Sequence, residues 1–411
     1  MRNPLPYIIL FLIITFSCGL PYQYQNKLKE DVEFLSSDNL EGRKTGSQGE
    51  KAAANYISKR FSDLDFIKKG NNEFLQSFTF KPKSNPHEEI KFNDSVVDSS
   101  ITGNNVLAFM DNNASSTVVI GAHYDHLGYG GEGSLYRDSE IKIHNGADDN
   151  ASGVALMLDL ASKLKENNRV NNNYLFIAFS GEELGLLGSN YFVKNPTIDI
   201  KTINYMINMD MVGRLNTEKS LAIYGLGTSP IFKQTIKSNN NDFKIIENES
   251  GVGPSDHTSF YLQDIPVLHF FTGQHSDYHK PSDDSNLINY LGMELISNYI
   301  YSIISDLDDN GKLSFRKTKN ESQDVPRFKV TLGVIPDYLF DGKGMRIDGV
   351  SSGRPAEKAG FQKGDIVVKL GETDIIDMMS YMKGLSKIKK GDKVIVQVKR
   401  KNKILSKKVI F

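Results

Sequence analysis

Five apolar runs mark the middle of the chain, at residues 117–122, 174–179, 202–209, 221–224 and 265–271, and three of them lead straight into acidic or imidazole side chains. The first runs into His123-Tyr124-Asp125, the second is followed by Glu182-Glu183, and the third ends at Asp210. Helix-like segments lie between and after them: 152–165, a stretch from Leu187, and 292–307. In the first of these helices Val154, Met157, Leu160, Ala161 and Leu164 recur at three- and four-residue spacing, the signature of one apolar face. Strands that are apolar on both faces are buried on both faces, and their alternation with helices is the pattern of an α/β sheet covered on two sides. The expected fold is therefore α/β, a mixed, largely parallel central sheet flanked by helices. Ligands of such sheets gather at the carboxyl ends of the strands. That is where these acids and histidines fall.

Carboxylates and imidazoles closing apolar strands make sense when something there binds them, and His nitrogen and carboxylate oxygen are the ligands that zinc takes in hydrolytic sites. His123 and Asp125 are two apart, so on a strand they share a face, while Tyr124 and His126 point the other way. This spacing reads His123 as a ligand, Asp125 as the partner of its second nitrogen, and His126 as a packed or loop histidine. Gly146-Ala147-Asp148-Asp149-Asn150-Ala151-Ser152-Gly153 is a loop opening onto a helix, with Asn150 or Ser152 suited to cap it and a ligand carboxylate in its acidic pair. In Glu182-Glu183 one carboxylate can hold a cation while its neighbour takes a proton. Asp210 closes an apolar strand, and His279 stands in the polar stretch Tyr278-His279-Lys280-Pro281-Ser282-Asp283.

Taken together, Ala122-His123-Tyr124-Asp125, Gly146 to Gly153, Glu182-Glu183-Leu184-Gly185, Asn208-Met209-Asp210-Met211 and Tyr278-His279 resemble the co-catalytic zinc aminopeptidases of the bacterial leucyl aminopeptidase and aminopeptidase S type. The resemblance spans about residues 31–307, including Phe34-Leu35 and the turn-rich Leu40-Glu41-Gly42-Arg43. It implies the zinc exopeptidase fold and two Zn2+ ions. Asp149 would bridge them, His123 and Asp210 would complete one site, Glu183 and His279 the other, and Glu182 would be the general base. It also implies a cis peptide bond at Asp149–Asn150. Family members that place a Tyr before the last ligand have no counterpart in Gly251-Val252-Gly253-Pro254-Ser255-Asp256-His257, where His257 is either a candidate oxyanion donor or a structural histidine.

Residues 308–325 are polar and read as a linker to a small, mainly β unit at 326–411. That unit resembles a bacterial PDZ domain: Thr331-Leu332-Gly333-Val334 looks like its carboxylate-binding loop, and 352–365 like the approach to its central strand. The resemblance implies a peptide held by its C-terminus at Leu332, Gly333 and Val334.

A formal net charge of −1 argues against nucleic acid as a partner of the whole chain. From Asp324 onward, however, 19 Lys/Arg stand against 10 Asp/Glu, and the run Lys399-Arg400-Lys401 reads as a solvated strand edge. At the other end, Arg2 and the apolar stretch 7–14 have the shape of a secretory signal (1–17), too short to span a bilayer as a stable helix. Cys18, the sole cysteine, resembles the acylation site of a bacterial lipoprotein, although Thr15 stands where that site usually carries Leu. The domain plan is thus a signal peptide 1–17, a tether 18–26, the peptidase-like domain 27–307, the linker 308–325 and the PDZ-like unit 326–411. The expected setting is an exported protein of the bacterial cell envelope, membrane-anchored through Cys18, with a periplasmic or secreted protein as the alternative.

Three functions are compatible with this reading. The foremost is a two-zinc aminopeptidase acting on peptide substrates. A glutaminyl cyclase-like acyltransferase on the same fold would work with one zinc, and a non-catalytic PDZ-bearing binding protein with none. The intact five-ligand set favours the first.

Overall fold

The structure, a computed structural model, describes residues 20–82, 92–93, 99–318 and 330–411, apart from 132, 137, 168–169, 338–339, 341, 351–352 and 402. The expected signal peptide and Cys18 lie outside these residues.

Strands β1 (Ile67–Lys68), β2 (Leu75–Phe80), β3 (Phe92–Asn93), β4 (Ile101–Met110), β5 (Thr117–His123), β6 (Asn173–Phe179), β7 (Ile203–Met209), β8 (Ser220–Tyr224), β9 (Lys244–Glu247) and β10 (Val267–Phe271) build one sheet, in the order β3-β2-β4-β6-β5-β7-β10-β8-β9 with β1 on β4. The middle four, β6-β5-β7-β10, are parallel; β4 joins β6, and β8 joins β10, antiparallel. Alternation does the sorting. Tyr174, Phe176 and Ala178 of β6 enter one apolar core, while Leu175, Ile177 and Phe179 enter another on the opposite face. The first core is shared with helices α1 (Leu20–Leu35), α2 (Gln48–Asp63) and α3 (Gly153–Asn167), and the second with α4 (Leu187–Lys194). Two further helices, α5 (Phe232–Ser238) and α6 (His257–Tyr261), and the long α7 (Tyr290–Leu307), close the layers, with α7 against α1 and α3 and α6 against α4. The sheet is therefore covered on both faces and mixed, as the apolar runs require.

Two boundaries and one strand differ from expectation. Helix α1 begins at Leu20, inside the expected tether. The polar strand β9 is not legible in sequence, because an edge strand with exposed ends carries no continuous apolar run. The expected linker is in part body rather than spacer. Leu313 is buried in the first core, Phe315 packs on the second, and Thr318 meets the Tyr261 hydroxyl with both its N–H and its Oγ1, each at 3.0 Å.

A second unit follows. Its strands β11 (Val334–Pro336), β12 (Met345–Val350), β13 (Ile366–Leu370), β14 (Thr373–Asp374), β15 (Lys393–Arg400) and β16 (Lys403–Ile410) are antiparallel, in the order β11-β12-β13-β15-β16 with β14 on β13. Two helices, α8 (Pro355–Lys358) and α9 (Met378–Ser386), accompany them around a core that includes Leu332, Ile347, Val367, Tyr381 and Val398. Within the basic run, Arg400 is not simply solvated: its guanidinium forks onto the buried Asp365 at 2.7 and 2.8 Å.

One buried cation ties the N-terminal segment to the ends of the central strands. Arg43, fully buried, donates to the carbonyls of Tyr124 (2.7 Å), Asn145 (2.7 Å), Gly146 (3.1 Å) and Leu35. It is presented by a tight turn in which Gly42 has φ 66°, and a Cβ there would stand 2.5 Å from the His144 carbonyl and 2.7 Å from that of Gly128. Burial lowers the Arg43 pKa to about 10, against the pull of Asp125, Asp149, Asp283 and Glu183. Arg43→Leu takes the guanidinium from four buried carbonyls, of which, among the described residues, only that of Gly146 keeps another donor, the Ala151 N–H at 3.1 Å, so a loss of about 3–5 kcal/mol is expected. Urea unfolding of the chelator-treated chain measures it, and an unchanged midpoint would show that water substitutes for the guanidinium.

Candidate metal centre

The candidate ligands converge at the carboxyl ends of the parallel strands. His123 is the last residue of β5, Glu182 and Glu183 follow β6, Asp210 follows β7, and His279 comes from the segment after β10. Asp149 arrives from the loop before α3, which is held from several sides. Asp283 accepts the backbone N–H groups of Asp148 (3.0 Å) and Asp149 (3.1 Å). The Asn150 amide donates to the Met209 carbonyl at 3.0 Å, and its Oδ1 accepts from Met211 N and Gly153 N. Of the two residues suited to cap α3, it is Asn150 that takes the Gly153 N–H. The Asp149–Asn150 peptide bond is cis. Asp148 faces away from the cluster: its carboxylate takes Gly213 N, Ser152 Oγ and His275 Nε2.

Asp149 presents one oxygen to each of two groups. Its Oδ1 is 3.3 Å from His123 Nε2, which is also 3.4 Å from Asp210 Oδ1. Its Oδ2 is 3.2 Å from His279 Nε2, which is 3.3 Å from Glu183 Oε2. His126 joins the second group, with Nδ1 2.7 Å from Glu183 Oε1 and 4.0 Å from Asp149 Oδ2. The His126-Asp149-Glu183 and His123-Asp149-Asp210 sets are each compact enough to surround one ion.

The histidine orientations fit a cation. His279 Nδ1 donates to the Gly133 carbonyl at 2.8 Å and His123 Nδ1 to the Asp125 carbonyl at 3.2 Å, so each ring turns Nε2 toward the carboxylates. Fixing one nitrogen on a carbonyl to free the other is how ligating histidines are held. In the metal-free chain protons hold the acids together. Burial would lower the His279 pKa, but Glu183 and Asp149 outweigh it and hold it at about 9. Burial also disfavours the Asp149 charge, yet hydrogen bonds from His123 and His279 keep it well below the usual carboxylate range.

Glu182 stands slightly apart, with Oε2 4.0 Å from His123 Nε2. Its backbone N–H donates to Asp125 Oδ1 at 3.1 Å, and Asp125 Oδ2 accepts from Thr45 Oγ1 at 3.0 Å. Asp125 therefore orients both neighbours: its carbonyl takes the His123 hydrogen bond, its carboxylate lies 3.7 Å from the same Nδ1, and it anchors the Glu182 backbone. Burial pushes the Glu182 carboxyl well above the usual range; His123 opposes the shift, and Asp210, Glu183 and Asp256 add to it.

A cavity of about 110 Å³ opens onto the group, bordered by Asp149, Glu182, Glu183, Asp210 and His279, with His269 and Tyr278 on its wall. His257 is fully buried and does not border this cavity; its ring stacks on His269 at 4.4 Å. Two residues escaped the reading from sequence. Strand alternation sends His126 to the outer face, but β5 stops at His123, so alternation does not govern where its ring points. The phenol on the cavity wall comes not from the 251–257 loop but from Tyr278, which directly precedes His279 and stacks on that ring at 3.8 Å.

In the second unit, Leu332 is buried in the core, Gly333 has φ 78° and donates its N–H to Thr331 Oγ1 at 3.0 Å, and Val334 opens β11.

Comparison with known proteins matches peptidase family M28 over residues 105–304 and a PDZ domain over 313–410. A probable leucine aminopeptidase of Arthroderma otae is 31% identical over 174 residues, covering 40% of this chain and 45% of that relative, so the chain spans under half of its length. Among solved structures, an aminopeptidase from Aneurinibacillus sp. strain AM-1 superposes with TM-score 0.53 at 18% identity over 71% of this chain and 95% of that one. The glutaminyl cyclase of Porphyromonas gingivalis does so with TM-score 0.54 at 16% identity over 69% and 98%. At these identities the two structures speak for the fold alone.

Proposed function

We propose, for a chain that carries a peptidase family M28 domain followed by a PDZ domain, that it is a zinc-dependent aminopeptidase removing N-terminal residues from peptides. The observation that carries this reading is Asp149, with one oxygen turned to His123 and Asp210 and the other to Glu183 and His279. One cation would leave half of this donor set without a purpose, which is why two Zn2+ ions are preferred to the single ion of a cyclase. Bound there, they would supply Lewis acidity toward a carbonyl and a water. Glu182, held by Asp125, takes a proton from the attacking water and passes it to the leaving amine. Tyr278 and His269, both on the cavity wall, would donate hydrogen bonds to charge developing on the carbonyl oxygen, and His257 does not border that cavity. Burial lowers the His269 pKa to about 4, so its ring stays neutral. The apolar stretch at 7–14 and the sole cysteine support export and a lipid anchor on Cys18. Among the described residues no helix is long and apolar enough to cross a membrane.

Hydrolysis of aminoacyl-p-nitroanilides, with zinc counted per chain, tests the reading. Metal-dependent cleavage at two zinc ions per chain supports it; two ions without cleavage of any free-amine substrate would retain the site and reject the substrate class.

Zinc loading should also depend on pH with a definite sign. Below about 9 the metal-free His279 holds a proton, which a cation must displace, so affinity falls as pH falls. Up to about a tenfold change per pH unit is expected between roughly pH 7 and 9 for each proton released. Competition with a chromogenic chelator measures it, and a flat profile would mean that His279 stays off the metal.

A further inference from the structure

The two sheets end beside one another. β9, the last strand of the larger sheet, and β11, the edge of the smaller, border one open cleft of about 510 Å³. Tyr224 of β8 and Lys244 and Ile246 of β9 line one wall; Pro336 at the end of β11, Phe340 beyond it and Met378 at the start of α9 line the other.

The place of this cleft on the second unit is informative. The 331–334 loop lies at the start of β11 and the cleft at its end. A peptide that adds to the open edge of β11 with its C-terminal carboxylate at that loop runs antiparallel to the strand. Its upstream residues must then leave past Pro336, into the cleft. On the opposite side the cleft adjoins the metal centre. Tyr224 and Ala222 share an apolar cluster with Met211 and Phe271, which border the catalytic cavity, and Tyr278 packs on that cluster.

We propose that this cleft carries a single extended peptide from one domain to the other. Its carboxylate is received at the 331–334 loop, its middle lies between the open edges of β9 and β11, and its free amine reaches the metal cavity past Tyr224. The inference rests on the aminopeptidase reading and narrows it: the substrates are unstructured peptides with a free C-terminus and enough length to bridge both sites. Short aminoacyl substrates enter the cavity without touching the cleft.

Two measurements on the full chain decide the matter. In the first, kcat/KM is compared for peptides of increasing length that share one N-terminal residue and end in either a carboxylate or an amide, with an aminoacyl-p-nitroanilide as the short control. Amidation should lower kcat/KM about tenfold or more for the long peptides, the size of a lost charge-assisted hydrogen bond, and leave the control untouched. Equal rates for acid and amide at every length would overturn the proposal while leaving the aminopeptidase reading intact.

The second measurement needs no catalysis. Anisotropy of a long peptide labelled on a mid-chain lysine is followed in the Glu182→Gln background, with Phe340→Ala on one wall and Ile246→Ser or the exposed Lys244→Glu on the other. Weaker binding from both walls supports the bridging peptide. An effect of Phe340→Ala alone, or of neither wall, rejects it. Should the chain cleave no peptide at all, the aminopeptidase reading fails first, and this binding result still decides the cleft.

Discussion

Asp149→Ala is expected to empty both cation sites together. No other candidate ligand faces both groups: Asp149 Oδ1 and Oδ2 stand 3.3 Å from His123 and 3.2 Å from His279. Loss of His123 or of Glu183 would strip one group and leave the other with its remaining donors. Loss of Asp149 takes an oxygen from each and leaves the imidazoles facing a gap. Metal catalysis of this kind contributes several kcal/mol, so a fall in kcat on the order of 10⁴ or more is expected, with zinc near zero per chain. Atomic emission on the dialysed variant beside nitroanilide hydrolysis checks both halves. One tightly held zinc in Asp149→Ala would show that the two groups are independent and that the bridging role is misplaced.

Glu182→Gln should behave differently, and the contrast separates the base from the ligands. Glu182 is anchored through its backbone to Asp125 and keeps its side chain 4.0 Å from His123 Nε2, farther than either Asp149 or Asp210. Glutamine preserves its size but cannot accept a proton. The expectation is a loss of 10²–10⁴ in kcat, the usual worth of a positioned base, with KM and zinc content close to wild type. A parallel loss of zinc would recast Glu182 as a ligand. Full activity would move the base elsewhere in the cavity.

The large sheet was legible because its central strands are buried on both faces and therefore spell themselves as unbroken apolar runs. The same logic hid β9, whose half-exposed residues lack that run, and it misled at His126. Alternation governs a side chain only while its strand continues, and β5 ends three residues before His126. Four of the five candidate ligands stand out in the sequence because they close or follow strands whose ends burial sets, whereas Asp149 stands out through its acidic pair just before the apolar helix α3. Their partners do not. Gly133 under His279, Asp283 under Asp149, and the Arg43 fork to the Asn145 and Gly146 carbonyls are contacts across long stretches of chain, and no local pattern announces them. The second unit was recognisable from its loop and strand spacing, but its closeness to the metal centre depends on how two bodies dock, which neither body's own pattern encodes.

The order of the ligands along the chain has a temporal meaning. His123 and Asp149 emerge from the ribosome early, Glu183 and Asp210 later, and His279 last, near the end of the α/β body. Because binding to such a set is coupled to folding, a nascent or threading chain offers a cation only an incomplete and flexible group of donors. The second group closes only after the chain has passed β10 and α7 can pack against α1 and α3. On the proposed reading, the complete donor set therefore assembles only once the α/β body has been made and folded as a whole.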